Sequence, residues 1–152
     1  MDIIQATADD IEALIQLRLD FINDFHPHDA DDLDLFREQL ATFFPPRIAS
    51  GQIVGVLGYE DGRVVSGALL DVADVPADCA RPHGKRATLF CVHTDSAWRK
   101  RGFGAQIVAE AINICRELGL DCIDLEASNA GQGVYAAAGF VVGDCLPMRL
   151  AL

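Results

Sequence analysis

Apolar residues near the amino terminus follow first the spacing of a strand and then the spacing of a helix. The run at residues 2–7 predicts a short strand. Apolar side chains between residues 11 and 25 then recur every three or four positions, as on one face of an amphipathic helix. Thr7 followed three residues later by Asp10 predicts a capping box at the start of this helix.

Prolines and glycines indicate the next boundaries. A second helix is predicted over residues 31–43, ending before Pro45 and Pro46, because the residue before a proline disfavours helical backbone angles. Two apolar, β-branched runs within residues 52–72 are joined by the sequence EDGR at 60–63. Asp-Gly between such runs is typical of the tight turn of a β-hairpin.

Strands and helices alternate through the second half of the chain. A strand–helix–strand unit of this kind places its two strands in parallel. The predicted elements are a loop at 75–85, a strand at 86–94, a helix at 102–118 ended by Gly119, a strand at 121–128, a short helix at 131–138 and one or two strands within 140–152.

The chain is strongly acidic. Its 152 residues carry a formal net charge of −11, and their number fits one domain spanning residues 1–152. This charge argues against binding to nucleic acid and to anionic membrane surfaces. It is compatible with a cationic substrate and equally with an acidic surface that only keeps the protein in solution.

The cysteines predict neither a disulfide framework nor a metal site. Their number is odd, no two form a Cys-x-x-Cys pair, and most lie within apolar runs, which favours small core residues of a reduced, cytoplasmic protein. The amino terminus lacks the features of a signal peptide, and no segment has the roughly 20 apolar residues that span a bilayer. The five are Cys79, Cys91, Cys115, Cys122 and Cys145.

Positive charge is concentrated beside two glycines, where a predicted strand becomes a helix. Arg99, Lys100 and Arg101 directly precede Gly102, and Gly104 follows. The first backbone N–H groups of a helix lack partners within the helix, and glycines let an anion approach them without meeting a Cβ atom. The segment therefore predicts a phosphate site, with a solvated basic flank as the alternative.

The common nucleotide fingerprints do not fit this turn. No GxxxxGK(S/T) run is present, and the pattern GxGxxG fails because Ile107 stands where its third glycine should be. The turn by itself leaves the phosphate ligand and the solvated flank about equally supported.

Further motifs surround the turn. Arg99, Gly102 and Gly104 fill the pattern Gln/Arg-x-x-Gly-x-Gly/Ala, preceded by VHTDSAWR at 92–99 and followed by a Tyr-x-x-x-Gly-Phe block at 135–140. In these motifs and in the order of its elements, the sequence resembles the GNAT acetyltransferase superfamily. The resemblance extends along the whole chain.

The resemblance implies a GNAT α/β fold, with a mixed central sheet of six to seven strands flanked by about four helices. It implies an N-acetyltransferase that uses acetyl-CoA as cosubstrate, needs no metal and acetylates a primary amine of a small molecule or a protein; a homodimer is compatible with it. The residues that it assigns to acetyl-CoA are Cys91, Val92, Arg99, Lys100, Arg101, Gly102, Phe103, Gly104, Ala105, Ser128 and Tyr135.

Acetyl transfer needs a proton donor for the leaving thiolate and an acceptor for the amine proton. The resemblance assigns the donor role to Tyr135, whose phenol stays protonated at neutral pH. The glutamate that serves as base in some members is replaced by Arg86. The remaining candidates for the base are His93, Glu126 and a relayed water molecule.

After Arg86, the sequence departs from the family pattern at a second position, and two alternative functions stay open. Ser128 stands where many members have asparagine, so one hydroxyl replaces an amide. The resemblance places the acceptor pocket among loops around 20–35 and 72–85. The Asp- and His-rich stretch at 20–34 lacks a calcium-loop pattern and is expected to be a solvated rim that attracts a cationic amine. The alternatives are a non-catalytic acyl-CoA-binding module and an interaction protein that uses its basic turn.

Overall fold

The protein has a mixed β-sheet with helices on both faces. The structure, a computed structural model, describes residues 1–145 and 147–152, and within them five strands pair in the order β1-β2-β3-β4-β5. The pairs β1–β2, β2–β3 and β3–β4 are antiparallel, and the pair β4–β5 is parallel. The strands are β1 (Asp2–Gln5), β2 (Ile53–Glu60), β3 (Arg63–Asp74), β4 (Lys85–Thr94) and β5 (Cys122–Asp124).

The helices largely lie where the hydrophobic pattern predicts them. Thr7 and Asp10 form the predicted capping box, in which the Thr7 N–H donates to Asp10 Oδ2 at 2.9 Å. The described helices are α1 (Ile11–Phe25), α2 (Ala30–Ser50), α3 (Phe103–Glu117) and α4 (Gln132–Ala137), with single 3₁₀ turns at Ala8–Asp10 and Ser96–Trp98.

The two predicted connections are confirmed. Asp61 and Gly62 have φ values of 50° and 74° and join β2 to β3 through a two-residue turn. Both positions then lie in the left-handed region, which is the geometry of the tight hairpin turn that Asp-Gly favours. Helix α3 carries the crossover between β4 and β5, which are parallel as the crossover rule requires.

The predicted end of α2 before the two prolines is wrong. The helix continues through Pro45 and Pro46 to Ser50, although prolines inside a helix remove hydrogen bonds. Burial of Phe44, together with the packing of Ile48 on the same core, stabilises the turn that contains them. The carbonyl groups that lose their partners belong to the exposed residues 41 and 42, where water can bind them.

The predicted strands after residue 140 are not found in the described residues, so the sheet has five strands and not six to seven. Residues 140–145 and 147–152 contain no strand, and Val141, Val142 and Met148 are exposed. A strand needs an edge to pair with, and β5 offers only three residues. Leu146 lies outside the described residues.

Two hydrophobic cores cover the two faces of the sheet. Helix α3 packs on one face, and α1 with α2 packs on the other. Helix α1 lies close to the sheet because Gly55 and Gly67 have no side chains: a Cβ atom there would lie 2.6 Å from Leu14 and 2.7 Å from Leu17. This close approach brings the carboxyl-terminal end of α1 beside the end of β4.

The cysteines only partly follow the prediction of core residues. Cys91 and Cys115 are buried, whereas Cys79 and Cys145 are exposed, and all five thiols are free. Burial raises the pKa of the Cys91 thiol to about 12, so that this group stays protonated and unreactive at neutral pH. None of the described helices combines the length and the apolar character that crossing a membrane requires.

Candidate functional site

A cavity of about 710 Å³ opens where β4 and β5 separate. The two parallel strands pair only through residues 86–88 of β4, and β4 then continues to Thr94 without β5 beside it. The backbone edge of residues 89–94 therefore faces the cavity, with Glu126 and Ser128 among the lining residues that follow β5. An unpaired strand edge of this kind can bind an extended ligand through main-chain hydrogen bonds.

The glycine turn closes one end of this cavity and exposes the start of α3. Gly102 precedes the helix with φ of 80°, and the Gln106 N–H donates to its carbonyl oxygen at 3.1 Å. No side chain caps the helix, so the N–H groups of residues 103–105 are left for a ligand. A Cβ atom at Gly102 would meet nothing within 4 Å, which shows that the space in front of the turn is open.

The three cations of the turn have different surroundings. The Arg99 guanidinium pairs with Asp24 of α1, and its Nε–H donates to the Thr94 carbonyl oxygen at 2.9 Å. The Arg101 guanidinium lies 4.6 Å from the centre of the Trp98 ring, and Arg101 does not line the cavity. Arg99 and Lys100 do line it. The predicted phosphate contacts of Arg99 and Lys100 are therefore within reach, and those of Arg101 require its side chain to move.

A β-bulge interrupts β4 at the predicted acetyl-binding residues. Gly67 pairs with His93 and Leu69 pairs with Phe90, so that Cys91 and Val92 together face the single residue Ala68. Cys91 has φ of 54°, an uncommon conformation for a residue with a side chain. A bulge leaves backbone groups without a ladder partner. Cys91 and Val92, the two bulged residues, both line the cavity.

Tyr135 and Ser128 lie on the opposite wall from the β4 edge. Tyr135 is half-buried and packs edge-on against Phe140, with ring centres 5.9 Å apart. Burial raises the pKa of its phenol above the ordinary value of 10.0, so the hydroxyl keeps its proton at neutral pH. The Ser128 hydroxyl accepts a hydrogen bond from the Gly131 N–H at 3.2 Å and so helps to start α4. Both side chains line the cavity.

A second cavity, of about 400 Å³, lies between α1 and the ends of β3 and β4. Glu12 and Asp20 of α1 and Asp95 after β4 make its lining acidic, while Arg63 is a basic residue in the same wall. Glu12 is paired with Arg37, whereas Asp20 accepts a hydrogen bond from the neutral amide of Gln16, at 2.8 Å, and pairs with no cation among the described residues. The cavity therefore has the charge that attracts a cationic acceptor.

The expected contribution of residues 72–85 to the acceptor pocket is wrong. Asp74 pairs with Lys85 at the amino-terminal end of β4, the opposite end from His93, and no residue of that loop lines either cavity. The antiparallel register of β3 and β4 makes this unavoidable, because the hairpin loop joins the ends that point away from the cavity. Residues 20–25 of the other predicted segment do contribute, with Asp20, Phe21 and Asp24.

The Asp- and His-rich stretch at 20–34 is divided among several separate contacts. Asp29 caps α2 by accepting the Asp32 N–H at 2.9 Å, and His28 lies beside Asp32. Among the described residues, no three His, Cys, Asp or Glu side chains converge to hold a metal ion. Asp24 contacts Arg99 and His93, so this part of the stretch belongs to the site.

Asp24 and Ser66 contribute to the site and were missed by the motifs. Ser66 is fully buried, and its hydroxyl donates to the His93 carbonyl oxygen at 2.9 Å and lies 2.8 Å from Thr94 Oγ1. Asp24 reaches Arg99 across 75 positions of sequence. The only sequence signal for Ser66 is a hydroxyl within an apolar strand run, and nothing in a single sequence pairs Asp24 with Arg99.

Comparison with known proteins agrees with this geometry. The model of the acetyltransferase (GNAT) family matches residues 11–140. A GCN5-related N-acetyltransferase from Ralstonia eutropha JMP134 has 24% identity and a TM-score of 0.83, over 98% of this chain and 97% of that one. No curated protein sequence matches the chain.

Two further solved structures share the fold at lower identity. A predicted acetyltransferase from Clostridium acetobutylicum, crystallised with acetyl-CoA, is 21% identical with a TM-score of 0.84, covering 97% of this chain and 95% of that one. An aminoglycoside acetyltransferase from an uncultured soil metagenomic sample is 13% identical with a TM-score of 0.77, covering 99% and 97%. Since the family model spans most of the sequence, the chain belongs to the GNAT acetyltransferase family.

Proposed function

We propose that the protein is an acetyl-CoA-dependent N-acetyltransferase that transfers the acetyl group to a primary amine. The observation that carries the proposal is the continuity of one cavity, which joins the unpaired edge of β4, the uncapped start of α3 and the Tyr135 ring. These three features match the three parts of the cosubstrate: an extended arm, a pyrophosphate and a thioester sulfur.

Residues of the glycine turn are proposed to bind the pyrophosphate. The N–H groups of Phe103, Gly104 and Ala105 offer unpartnered donors at the positive end of the α3 dipole. Arg99 and Lys100 add positive charge at the same wall. The cavity volume of about 710 Å³ lies within the range of small-molecule sites, so acetyl-CoA fits the residues that are present.

The edge of β4 is proposed to bind the pantetheine arm, with Ser128 on the facing wall. The bulge at Cys91 and Val92 is proposed to offer a main-chain N–H to the thioester carbonyl. Such a preorganised donor stabilises the oxyanion that develops during acyl transfer. Because the Cys91 thiol is buried on the α1 side of the sheet, Cys91 acts through its backbone and not as a nucleophile.

Tyr135 is proposed as the proton donor for the departing thiolate. No protein group among the described residues hydrogen-bonds its hydroxyl, which leaves that proton available to a ligand in the cavity. The CoA thiol, with a pKa of about 8.5, is a stronger acid than a phenol whose pKa is raised above 10.0, so complete transfer of the phenol proton to a free thiolate is unfavourable in water. We therefore propose that the Tyr135 hydroxyl contacts the sulfur and passes its proton as the negative charge develops there.

The acceptor is proposed to be a cationic amine that enters through the acidic cavity. Asp20 and Asp95 attract an ammonium group, and a carboxylate rim also favours the charged form that cannot attack a thioester. The rim therefore captures the acceptor, and a separate group must remove its proton. An aminoglycoside acetyltransferase shares this fold, and aminoglycosides are cationic amines.

The test is a screen of amine acceptors with release of CoA thiol as the readout. The panel contains a diamine, an aminoglycoside, an amino-terminal peptide and an uncharged aromatic amine, each with acetyl-CoA. We expect acetyl-CoA to bind in calorimetry and at least one cationic amine to be acetylated. If acetyl-CoA binds but no amine of the panel is acetylated, a non-catalytic acyl-CoA-binding module is favoured. If acetyl-CoA does not bind, the proposal is removed altogether.

A further inference from the structure

His93 stands between the two cavities. Among the described residues, it alone lines both the cavity at the β4 edge and the acidic cavity beside α1. Its side chain is 11% exposed, and its main chain is held by the hydrogen bond from the buried Ser66 hydroxyl. The residue directly follows the β4 bulge, so the ring lies next to the backbone donor proposed for the thioester.

Asp24 faces one nitrogen of the His93 ring. Its Oδ2 atom lies 3.5 Å from His93 Nδ1, and the same carboxylate pairs with Arg99. A carboxylate beside one imidazole nitrogen favours the proton on that nitrogen and leaves the other as a lone-pair acceptor. The arrangement thus favours the tautomer in which Nε2 can accept a proton.

Burial keeps the ring neutral despite this carboxylate. Burial lowers the pKa of His93 below its ordinary value of 6.5, while Asp24 and Asp20 raise it and Arg99 lowers it. At pH 7 the imidazole is then uncharged and able to accept a proton. The charged and titratable residues that line the two cavities, besides His93, are Glu12, Asp20 and Asp24 on α1, Arg63 on β3, Cys91 on β4, Asp95, Arg99 and Lys100 after β4, Glu126 after β5 and Tyr135 on α4.

We propose that His93 is the general base that takes the proton of the acceptor amine, with Asp24 as its positioning residue. The assignment rests on the proposed acetyl transfer. The acceptor enters from the acidic cavity, and the thioester lies in the cavity at the β4 edge. The amine nitrogen and the thioester carbonyl carbon therefore meet beside His93, which lines both cavities. Glu126 is the weaker candidate, because its side chain is 75% exposed and, within the part of the chain that the structure describes, it forms an ion pair only with Arg149, at 4.0 Å.

Protons balance across the two proposed catalytic side chains. The captured ammonium first loses one proton to solvent. The resulting free-base amine attacks the carbonyl carbon, a C–N bond forms, and a second proton passes from the nitrogen to His93 Nε2. The C–S bond then breaks with its electron pair on sulfur, which takes the proton of the Tyr135 hydroxyl. The products are an amide and the CoA thiol. Transfer through solvent from the imidazolium to the phenolate restores both residues.

His93→Gln tests the assignment directly. With the best acceptor of the panel, we expect kcat to fall about a hundredfold or more, the usual contribution of a general base, while the Kd of acetyl-CoA stays within twofold. The part of the fall of kcat toward low pH that protonation of His93 causes should also disappear, because the variant has no imidazole at this position, whereas the acceptor amine titrates in both enzymes. His83→Gln is the matched control: its Nδ1 atom also lies beside a carboxylate, at 2.6 Å from Asp121, but near the opposite end of β4. It should behave as wild type.

Two variants that keep His93 move the acid limb of the kcat profile in opposite directions. At saturating acetyl-CoA and acceptor, Asp24→Asn should shift the limb to lower pH, because the carboxylate that raises the pKa of His93 is lost. Arg99→Gln should shift it to higher pH, because a cation that lowers this pKa is lost. A purely structural role for Asp24 or Arg99 would leave the limb in place.

The outcomes separate the two levels of the proposal. Wild type without turnover on any amine removes the acetyltransferase function, and the assignment of His93 falls with it. Turnover with an unchanged rate and acid limb in His93→Gln overturns only His93. Should His93→Gln melt early, the limb positions in Asp24→Asn and Arg99→Gln decide: limbs that coincide with wild type overturn the assignment, and opposite shifts support it.

Discussion

The two cavities that meet at His93 are built in different ways. The cavity for the proposed cosubstrate takes most of its wall from one continuous segment, residues 89–105, in which a bulged strand, a cationic turn and a helix start follow one another. The acidic cavity takes its wall from α1, β3 and the end of β4, which are distant in sequence. One site is mainly a property of the local backbone, and the other is a property of the packing.

The difference also concerns which atoms would bind a ligand. In the cosubstrate cavity the donors are main-chain N–H groups of the β4 edge and of residues 103–105, which any sequence with the same backbone provides. In the acidic cavity the groups are carboxylates such as Asp20, which a single substitution removes. We therefore expect backbone changes to be severe in the first cavity and charge changes to be modest in the second.

The largest effect is expected from a side chain at the glycine turn. Gly102→Val should abolish detectable acetyl-CoA binding in calorimetry, because the branched side chain would fill the open space before the α3 N–H groups. Gly119→Val is the matched control, since Gly119 has φ of 66° at the other end of α3 and is equally open. Both variants should lose roughly 1–2 kcal/mol of stability from the left-handed backbone. Equal binding in the two would show that the turn does not hold the pyrophosphate.

A smaller effect, confined to turnover, is expected at Tyr135. Tyr135→Phe keeps the packing against Phe140 and removes only the hydroxyl, so the Kd of acetyl-CoA and the melting temperature should change little. We expect kcat to fall on the order of a hundredfold, because the lost interaction forms chiefly in the transition state. Tyr135→Ala should lower stability and affinity together. A fully active Tyr135→Phe enzyme would reduce the residue to a packing role.

Charge at the turn is expected to matter less than its backbone. Arg99→Ala should weaken acetyl-CoA binding by about 1.5–3 kcal/mol, the range for hydrogen bonds to charged groups, and less at high salt. Arg101→Ala should have the smaller effect, because that guanidinium lies on Trp98 and outside the cavity lining. Arg116→Ala, near the opposite end of α3, is the control. Affinity that is unchanged in both turn variants would make the cations a solvated flank.

The smallest effect is expected in the acidic cavity. Asp20→Asn should raise the KM of a cationic acceptor by up to about fivefold, since exposed ion pairs contribute roughly 0.2–1 kcal/mol. The KM of an uncharged aromatic amine should not change. Asp34→Asn removes the same charge from the exposed amino-terminal part of α2 and serves as the control. Identical increases in both variants would attribute the effect to net charge and not to the cavity.

Local patterns in the sequence predicted the elements that depend on neighbouring residues. The capping box at Thr7, the Asp61-Gly62 hairpin and the parallel pair of β4 and β5 are confirmed, because turns, caps and crossovers are determined over a few residues or by a general handedness. The GNAT family also followed from motifs within one continuous region.

Predictions that depended on tertiary contacts were wrong or were missed. Helix α2 continues through Pro45 and Pro46 because burial of Phe44 offsets the cost of the prolines, which a local rule cannot include. The closing strands were predicted from apolar residues after 140. Among residues 140–145 and 147–152, however, none pairs with the short strand β5. Ser66 has no motif, and Asp24 was predicted only as part of an acidic rim, so its contacts with Arg99 and His93 could not be read from the chain.

By itself, the sequence determined the turn that is proposed to bind acetyl-CoA, because the proposed donors are backbone groups whose geometry follows from residues 99–105. Only the tertiary structure decided which side chains line the acidic cavity. Packing of α1 against Gly55 and Gly67 carries Asp24 to His93, and the β4 bulge turns that ring toward both cavities. Side chains from elements that are distant in sequence meet only when the core between those elements is packed. The spacing of residues along the chain therefore does not predict which of them will be in contact.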